Sequence, residues 1–308
     1  MQLGIEEIAS YIPSNKISNL SMKESFGIDD SFIENKLGVN QKALKEVGEE
    51  ASDLCVKAYV NLTKKKPIVK DDIEVLVVVT QNPDVKIPHV SAIVHGKLDL
   101  SEACACFDIS LGCTGFVHGL SIIHSFMQHN GFKKGLLFTA DPYSKIIDKN
   151  DKNTFLLFGD AATVTLISDN PLFVTGKFSF GTIGKQFNEL FCHGEFLYMN
   201  GRSVFNFSAK YIPLDVSAVL KRNNMTLNDI DRFVFHQGSK FIVDAISKSL
   251  KLSKDKVPFD ICSYGNTVSS SIPLILEKEM KKDNNINLLA SGFGVGLSWA
   301  STILKRKD

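Results

Sequence analysis

The chain lacks any long apolar run: no stretch approaches the roughly 18 uninterrupted apolar residues that would cross a bilayer. Its first residues, MQLGIEEIASYIPSN, have neither a basic lead nor an apolar segment behind it, so no secretory signal is expected and the expected location is cytoplasmic. No charge of one sign dominates. With 35 Lys and Arg against 34 Asp and Glu, the net charge of +1 gives no electrostatic support for nucleic-acid or membrane-surface binding. A local basic patch for an acidic partner stays open. Cysteine is sparse: six in 308 residues, without metal-type spacing or the density of a disulfide scaffold. Cys104-Ala105-Cys106 alternates like one face of a strand and reads as a pair of buried thiols. His89, His95, His118, His124, His129 and His193 form no recognisable metal spacing, and no metal is expected. Disorder-prone bias is missing too. At 44% hydrophobic and 22% charged the composition is globular, with enough chain for a large core in one fused unit or two domains.

What is present is a repeat. Asp72-Ile73-Glu74 leads into the apolar run Val75 to Val79, and Asp229-Ile230-Asp231 leads into Phe233-Val234-Phe235. Further on, Phe107-Asp108-Ile109 precedes the turn Gly112-Cys113-Thr114-Gly115, and Phe259-Asp260-Ile261 precedes Gly265-Asn266-Thr267. A helical pattern follows each turn: Phe116, Leu120, Ile123 and Phe126 in one, Ile272, Ile275, Leu276 and Met280 in the other. A charged loop and an apolar strand then follow, at Gly135 to Phe138 and at Asn287 to Ala290. Asp72 and Cys113 stand 41 positions apart, Asp229 and Asn266 37 apart. Three ordered matches at near-equal offsets predict a duplicated β-turn-α-β unit with parallel strands buried between helices. Asn170-Pro171 marks a break. The halves are therefore expected at 1–169, carrying the cysteine, and 170–308, carrying the histidine and asparagine.

Cys113 stands at a strand-to-helix junction between glycines, where backbone can turn sharply and a substrate can approach. The following helix directs free N–H groups at the thiol, which predicts a lowered pKa. His236 ends the strand Phe233 to Phe235, at a crevice position of an α/β sheet. Asn266 occupies the turn that duplicates the cysteine turn. Each has a bland account: a small buried hydrophobe, a structural strand-end histidine, a helix cap. The pseudo-twofold of a duplicated fold changes the balance, because it brings Cys113 and Asn266 together with His236 nearby.

The stretch Asp108-Ile109-Ser110-Leu111-Gly112-Cys113-Thr114-Gly115-Phe116 resembles the nucleophile segment of the β-ketoacyl-acyl-carrier-protein synthase III (3-oxoacyl-ACP synthase III) family of the thiolase superfamily. Phe235-His236-Gln237 resembles the family's histidine motif, and Tyr264-Gly265-Asn266-Thr267 its asparagine motif. Phe293 to Trp299, Phe158-Gly159-Asp160 and Asn82-Pro83-Asp84 are further matches, in the right order across nearly the whole chain. The resemblance implies the five-layered α-β-α-β-α thiolase fold, with mixed, mostly parallel sheets, and a homodimer. It implies acyl transfer from a thioester, usually acyl-CoA, to Cys113. Decarboxylative Claisen condensation with malonyl-ACP follows, in fatty acid or specialised acyl-chain biosynthesis. His236 and Asn266 would hold the enolate oxygen, each donor contributing on the order of 3 kcal/mol. The backbone N–H groups of Cys113 and Val295 would form the oxyanion hole. Acyl carrier protein is an implied partner, and no metal or redox cofactor is required.

The chain departs from the family pattern at several implied binding positions. Val295 replaces a glycine. Gly238-Ser239 replaces the Ala-Asn pair after the histidine motif, and Phe241 replaces an arginine implicated in carrier-protein docking, with Lys240 and Lys248 nearby. Phe32 and Lys36 stand for the tryptophan and arginine of the CoA mouth, and lysine lacks the planar fork that suits phosphate. Ile87 replaces an aromatic residue in the loop that, in the family, crosses to the partner subunit. Phe158, Met199, Gly201 and Phe205 match positions lining the acyl and pantetheine channel. These changes point to an altered primer or acceptor. Two alternatives remain: transfer of the acyl group to an amine, hydroxyl or thiol, and an inactive partner subunit of a synthase heterodimer. Survival of Cys113, His236 and Asn266 weighs against the second.

Overall fold

The computed structural model describes residues 2–307. Nine strands form its main sheet: β1 (Gly4–Tyr11), β2 (Val75–Val79), β3 (Ala105–Ile109), β4 (Lys134–Ala140), β5 (Ala162–Ser168), β6 (Phe173–Thr182), β7 (Arg232–Phe235), β8 (Asn287–Gly294) and β9 (Ser298–Arg306). Their spatial order is β7-β8-β9-β6-β1-β5-β4-β2-β3. The pairs β2/β3, β2/β4 and β7/β8 are parallel, each joining segments of the predicted repeat; the other five pairs in the sheet are antiparallel, so it is mixed but not mostly parallel as expected. Strands β1 and β6 are bonded at only two positions, Gly4 with Val174 and Ile5 with Phe173. The sheet therefore divides there into a five-stranded and a four-stranded half.

Period-two alternation sorts the side chains of each half into layers. Val75, Val77 and Val79 face one way with Leu137 and Ile167; Val234, Leu288 and Ala290 of the other half belong to the same core cluster. Between them lie α3 (Gly115–Asn130) and α6 (Ser271–Glu279), whose buried residues Phe116, Leu120, Ile123, Ile272, Ile275 and Leu276 join that cluster. Leu76, Val78, Leu136 and Phe138 face outward onto α1 (Ala51–Lys65) and α2 (Val90–Leu98). Phe233, Phe235, Leu289 and Ile303 face α4 (Gly201–Arg222) and α5 (Lys240–Ser249). The result is five layers, α-β-α-β-α. Each fully buried Phe or Leu contributes about 1.5–3 kcal/mol of transfer free energy, so strands apolar on both faces, as at 75–79 and 233–235, require cover on both sides.

One expected strand is missing. Phe259-Asp260-Ile261 has no strand geometry, although its counterpart Phe107-Asp108-Ile109 lies in β3. The Asp260 N–H is bonded to the Gln237 side chain instead of to a neighbouring strand. The second half consequently has four strands in the sheet. Among the described residues, no helix is long and apolar enough to cross a membrane.

Candidate active site

The two duplicated turns and the end of β7 meet at one cavity of about 220 Å³. Cys113 lies just before α3, with the Gly115 N–H bonded to the Gly112 carbonyl at 2.8 Å to close the turn. The backbone N–H groups of Val295 and of Cys113 itself lie near enough to the sulfur to oppose the rise of its pKa; they are the pair implied for the oxyanion hole. Gly294 makes this approach possible: its φ is +155°, and a Cβ there would stand 2.8 Å from the Cys113 sulfur. Ser298 fixes the turn, donating to the Val295 carbonyl at 2.7 Å and lying 3.5 Å from the Thr114 hydroxyl. The Val295 side chain does not line the cavity; it packs against the outer core.

His236 follows β7 directly, its N–H bonded to the Ser291 carbonyl at 2.8 Å. The ring is buried edge-on against Phe293, centroids 5.5 Å apart, and Nδ1 lies 2.7 Å from the Ser271 hydroxyl. Asn266 is zipped to the opposite segment through its N–H to the Leu157 carbonyl and its carbonyl to the Gly159 N–H. Its Oδ1 accepts the Val268 N–H at 2.9 Å, and its Nδ2 reaches the Gly238 carbonyl at 3.4 Å. Val268 holds φ at +55°, a left-handed conformation that costs a β-branched residue about 1–3 kcal/mol.

Burial governs both titratable groups. It pushes the Cys113 thiol up to about 12, opposed by the two N–H groups, and pushes the His236 imidazole down to about 3. The expected lowering of the thiol pKa by the helix is therefore not what the structure shows. Loss of water around the sulfur outweighs the N–H groups directed at it.

Cys113, His236 and Asn266 all line the cavity, as do Phe32, Lys36, Phe158, Met199, Gly201, Phe205, Gly238 and Ser239. The Lys36 ammonium sits 5.7 Å from the Phe32 ring centroid. Ser239 also caps α5, its hydroxyl accepting the Ile242 N–H at 3.3 Å. Ile87 is not among the lining residues; it stands 86% exposed in the loop before α2. Nor do Lys240 and Lys248 line the cavity. Both ride on α5, Lys240 paired with Asp244 and Lys248 exposed. The sequence reading missed Ser271, and it placed Phe293 and Ser298 in the C-terminal motif without giving either a role. It took Phe241 only as a lost arginine, whereas Phe241 stacks on Phe205 at 4.7 Å and forms part of the cavity wall. A signal for Ser271 was present in the run Ser269-Ser270-Ser271. Each hydroxyl of that run meets a different buried group: Asp141, Thr139 and His236.

Comparison with known proteins points to one family. Residues 107–183 match the family described as 3-oxoacyl-(acyl-carrier-protein) synthase III, and residues 220–306 match the C-terminal part of the same family. The chain is 31% identical to a β-ketoacyl-(acyl-carrier-protein) synthase III of Halalkalibacterium halodurans, with 98% of each chain covered. Among solved structures it is similar to the synthase III of Thermus thermophilus, with TM-score 0.92, 28% identity and 99% of each chain covered. It is also similar to a 3-oxoacyl-(acyl-carrier-protein) synthase of Burkholderia xenovorans, with TM-score 0.91, 32% identity, 99% of this chain covered and 94% of the other.

Proposed function

The chain belongs to the 3-oxoacyl-(acyl-carrier-protein) synthase III family of acyl-transferring condensing enzymes, and we propose that Cys113, His236 and Asn266 perform its two half-reactions. In the first, the Cys113 sulfur attacks the carbonyl of an acyl thioester, an acyl-CoA or acyl carrier protein. The oxyanion forms where the N–H groups of Cys113 and Val295 converge, and the donor thiol leaves. In the second, malonyl on acyl carrier protein loses carbon dioxide. The enolate oxygen is held by the His236 Nε2–H and the Asn266 Nδ2–H. The carbanion attacks the acyl-enzyme and releases Cys113.

The meeting of Cys113, His236 and Asn266 at one cavity, with the N–H groups of Val295 and Cys113 beside the sulfur, carries this reading. Neutral His236 suits it: in the tautomer in which Nδ1 accepts from the Ser271 hydroxyl, 2.7 Å away, the ring proton is on Nε2. The other roles follow from position. Phe32, Lys36, Phe205 and Phe241 receive the pantetheine arm, and Lys240 and Lys248 present positive charge to an acidic carrier protein. The enzyme works as a homodimer, in which Ile87 reaches the partner's acyl pocket. No metal or redox group enters the steps.

Intact mass tests the assignment. Incubation with a panel of acyl-CoA and acyl-carrier-protein thioesters should add one acyl group to the wild type and none to Cys113→Ala. Malonyl-carrier protein should then discharge the adduct as a 3-oxoacyl product. Discharge by an amine or alcohol instead, with malonyl-carrier protein inert, would turn the assignment to simple acyl transfer. A folded wild type that no thioester labels would favour an inactive partner subunit.

A further inference from the structure

The hydroxyl beside His236 belongs to Ser271, the first residue of α6. Ser271 is buried, and its Oγ lies 2.7 Å from the ring's Nδ1. Among the described residues the Ser271 hydroxyl has no other hydrogen-bond partner. Ser269 and Ser270, the residues before it, are engaged with Asp141 and with Thr139, so neither competes for the ring. On the far side of the imidazole, Nε2 has no protein partner among the described residues, and His236 shares the cavity with Cys113 and Asn266. Phe293 stands edge-on to the ring, at 86°.

Two tautomers fit these atoms, at unequal cost. With the proton on Nδ1 the ring donates to Ser271, and the serine O–H is stranded in the interior. With the proton on Nε2 the serine donates to Nδ1, and only lone pairs on Oγ go unfilled. A stranded donor costs more than an unfilled lone pair. The ring stays neutral in either, because burial disfavours its charge and the positive end of α6 lies beside Nδ1. We propose that Ser271 is a positioning residue: it donates to Nδ1, holds the imidazole as the Nε2–H tautomer, and so presents one N–H to the enolate oxygen in the cavity. The proposal rests on the reading of His236 as a holder of that oxygen. It makes the two half-reactions unequal in their need for Ser271. In condensation the bond from the malonyl α-carbon to its carboxylate breaks, carbon dioxide leaves, and the electron pair passes to the thioester oxygen held by Nε2–H. The α-carbon then bonds to the acyl carbon as the bond to the Cys113 sulfur breaks. Acylation forms its oxyanion at the N–H groups of Cys113 and Val295 and makes no use of Nε2–H.

Nitrogen-15 NMR of histidine-labelled wild type, with His236→Ala to identify the signals, should show His236 protonated at Nε2 and bare at Nδ1. In Ser271→Ala the Nδ1 signal should move towards that of a nitrogen without a hydrogen bond. Discharge of the acyl-enzyme by malonyl-carrier protein should fall about tenfold in that variant, the worth of one buried hydrogen bond, while Cys113 acylation keeps its wild-type rate. Ser271→Thr, which retains the hydroxyl, should restore discharge. Protonation of Nδ1 in the wild type overturns the proposal, and that measurement needs no variant to fold. A folded Ser271→Ala that discharges at the wild-type rate overturns it too, as does one in which acylation falls as far as discharge. A His236→Ala variant that still discharges at the wild-type rate strikes instead at the reading of His236 as the holder of the enolate.

Discussion

Two opposite pKa displacements define the resting site at the scale of single residues. Cys113 is a neutral thiol and His236 a neutral imidazole, both because burial disfavours charge. Acyl transfer needs the thiolate, and with a thiol near 12 its population grows tenfold per pH unit across the neutral range. The condensation proposed for His236 needs it neutral, and an imidazole near 3 is neutral throughout that range. The two half-reactions should therefore separate by pH. Between pH 6 and 9, acylation measured by rapid quench and mass should rise about tenfold per unit. Discharge of pre-acylated enzyme by malonyl-carrier protein should stay flat. An acylation profile that levels near pH 7 would mean that something in the complex lowers the thiol. A condensation rate falling below pH 6.5 would mean that His236 takes up a proton there. The proposed nucleophile was legible in the sequence because Gly112-Cys113-Thr114-Gly115 is a local pattern. Its protonation was not, because local spacing shows the helix end but not the desolvation imposed by Gly294, Phe293 and the facing segment.

At the scale of elements, the sequence showed the duplicated unit, since buried strands and the helices after them leave apolar periodicities of 2 and 3.6. It overreached at Phe259 to Ile261, where the same letters as in β3 make no strand, because hydrogen bonding to Gln237 competes with the ladder. It also gave no sign of what lies at the end of β4. Asp141 is fully buried there without a cation. It accepts from the Gln81 N–H and the Ser269 hydroxyl, each at 2.6 Å, yet burial pushes its carboxyl up to about 6. The unfolded chain releases that proton near pH 4, so between about pH 4 and 6 the native state binds more protons than the unfolded one. Stability contributed by this group is present below pH 4 and is lost as pH rises through 6, about 3 kcal/mol across the window. Asp141→Asn removes the titration while every other group stays in common. Unfolding in urea at intervals from pH 4 to 7 should show the wild type losing that amount relative to the variant. Parallel curves would show that Asp141 keeps its ordinary affinity for protons in the fold.

At the scale of the whole molecule, the sheet ends on an edge without the usual protections. Strand β3 is bonded to β2 on one side only. Residues Ala105 to Asp108 remain half-buried, and Phe107 begins an aromatic strip with Phe126, 5.3 Å away, and Phe132 beyond it. No proline interrupts the strand, and its one charge, Asp108, is turned to the N–H groups of Val90 and Ser91 at the start of α2. Such an edge invites pairing with a second copy. Antiparallel pairing about a twofold would bring the two Phe107 strips together and join the two sheets. The loop bearing Val85 and Ile87, apolar yet exposed, then has a neighbour to reach. Light scattering should give twice the chain mass of 34.0 kDa for the wild type at micromolar concentration. Phe107→Glu should give a monomer, because two carboxylates would face each other across the axis without a counter-charge. If Ile87 completes the acyl pocket across that axis, the folded monomer should also lose most of its rate of Cys113 acylation. A wild type that stays monomeric at all concentrations, or a Phe107→Glu variant that stays dimeric, would place the interface elsewhere or remove it. A monomer that acylates at the wild-type rate would show that the cavity of one chain suffices.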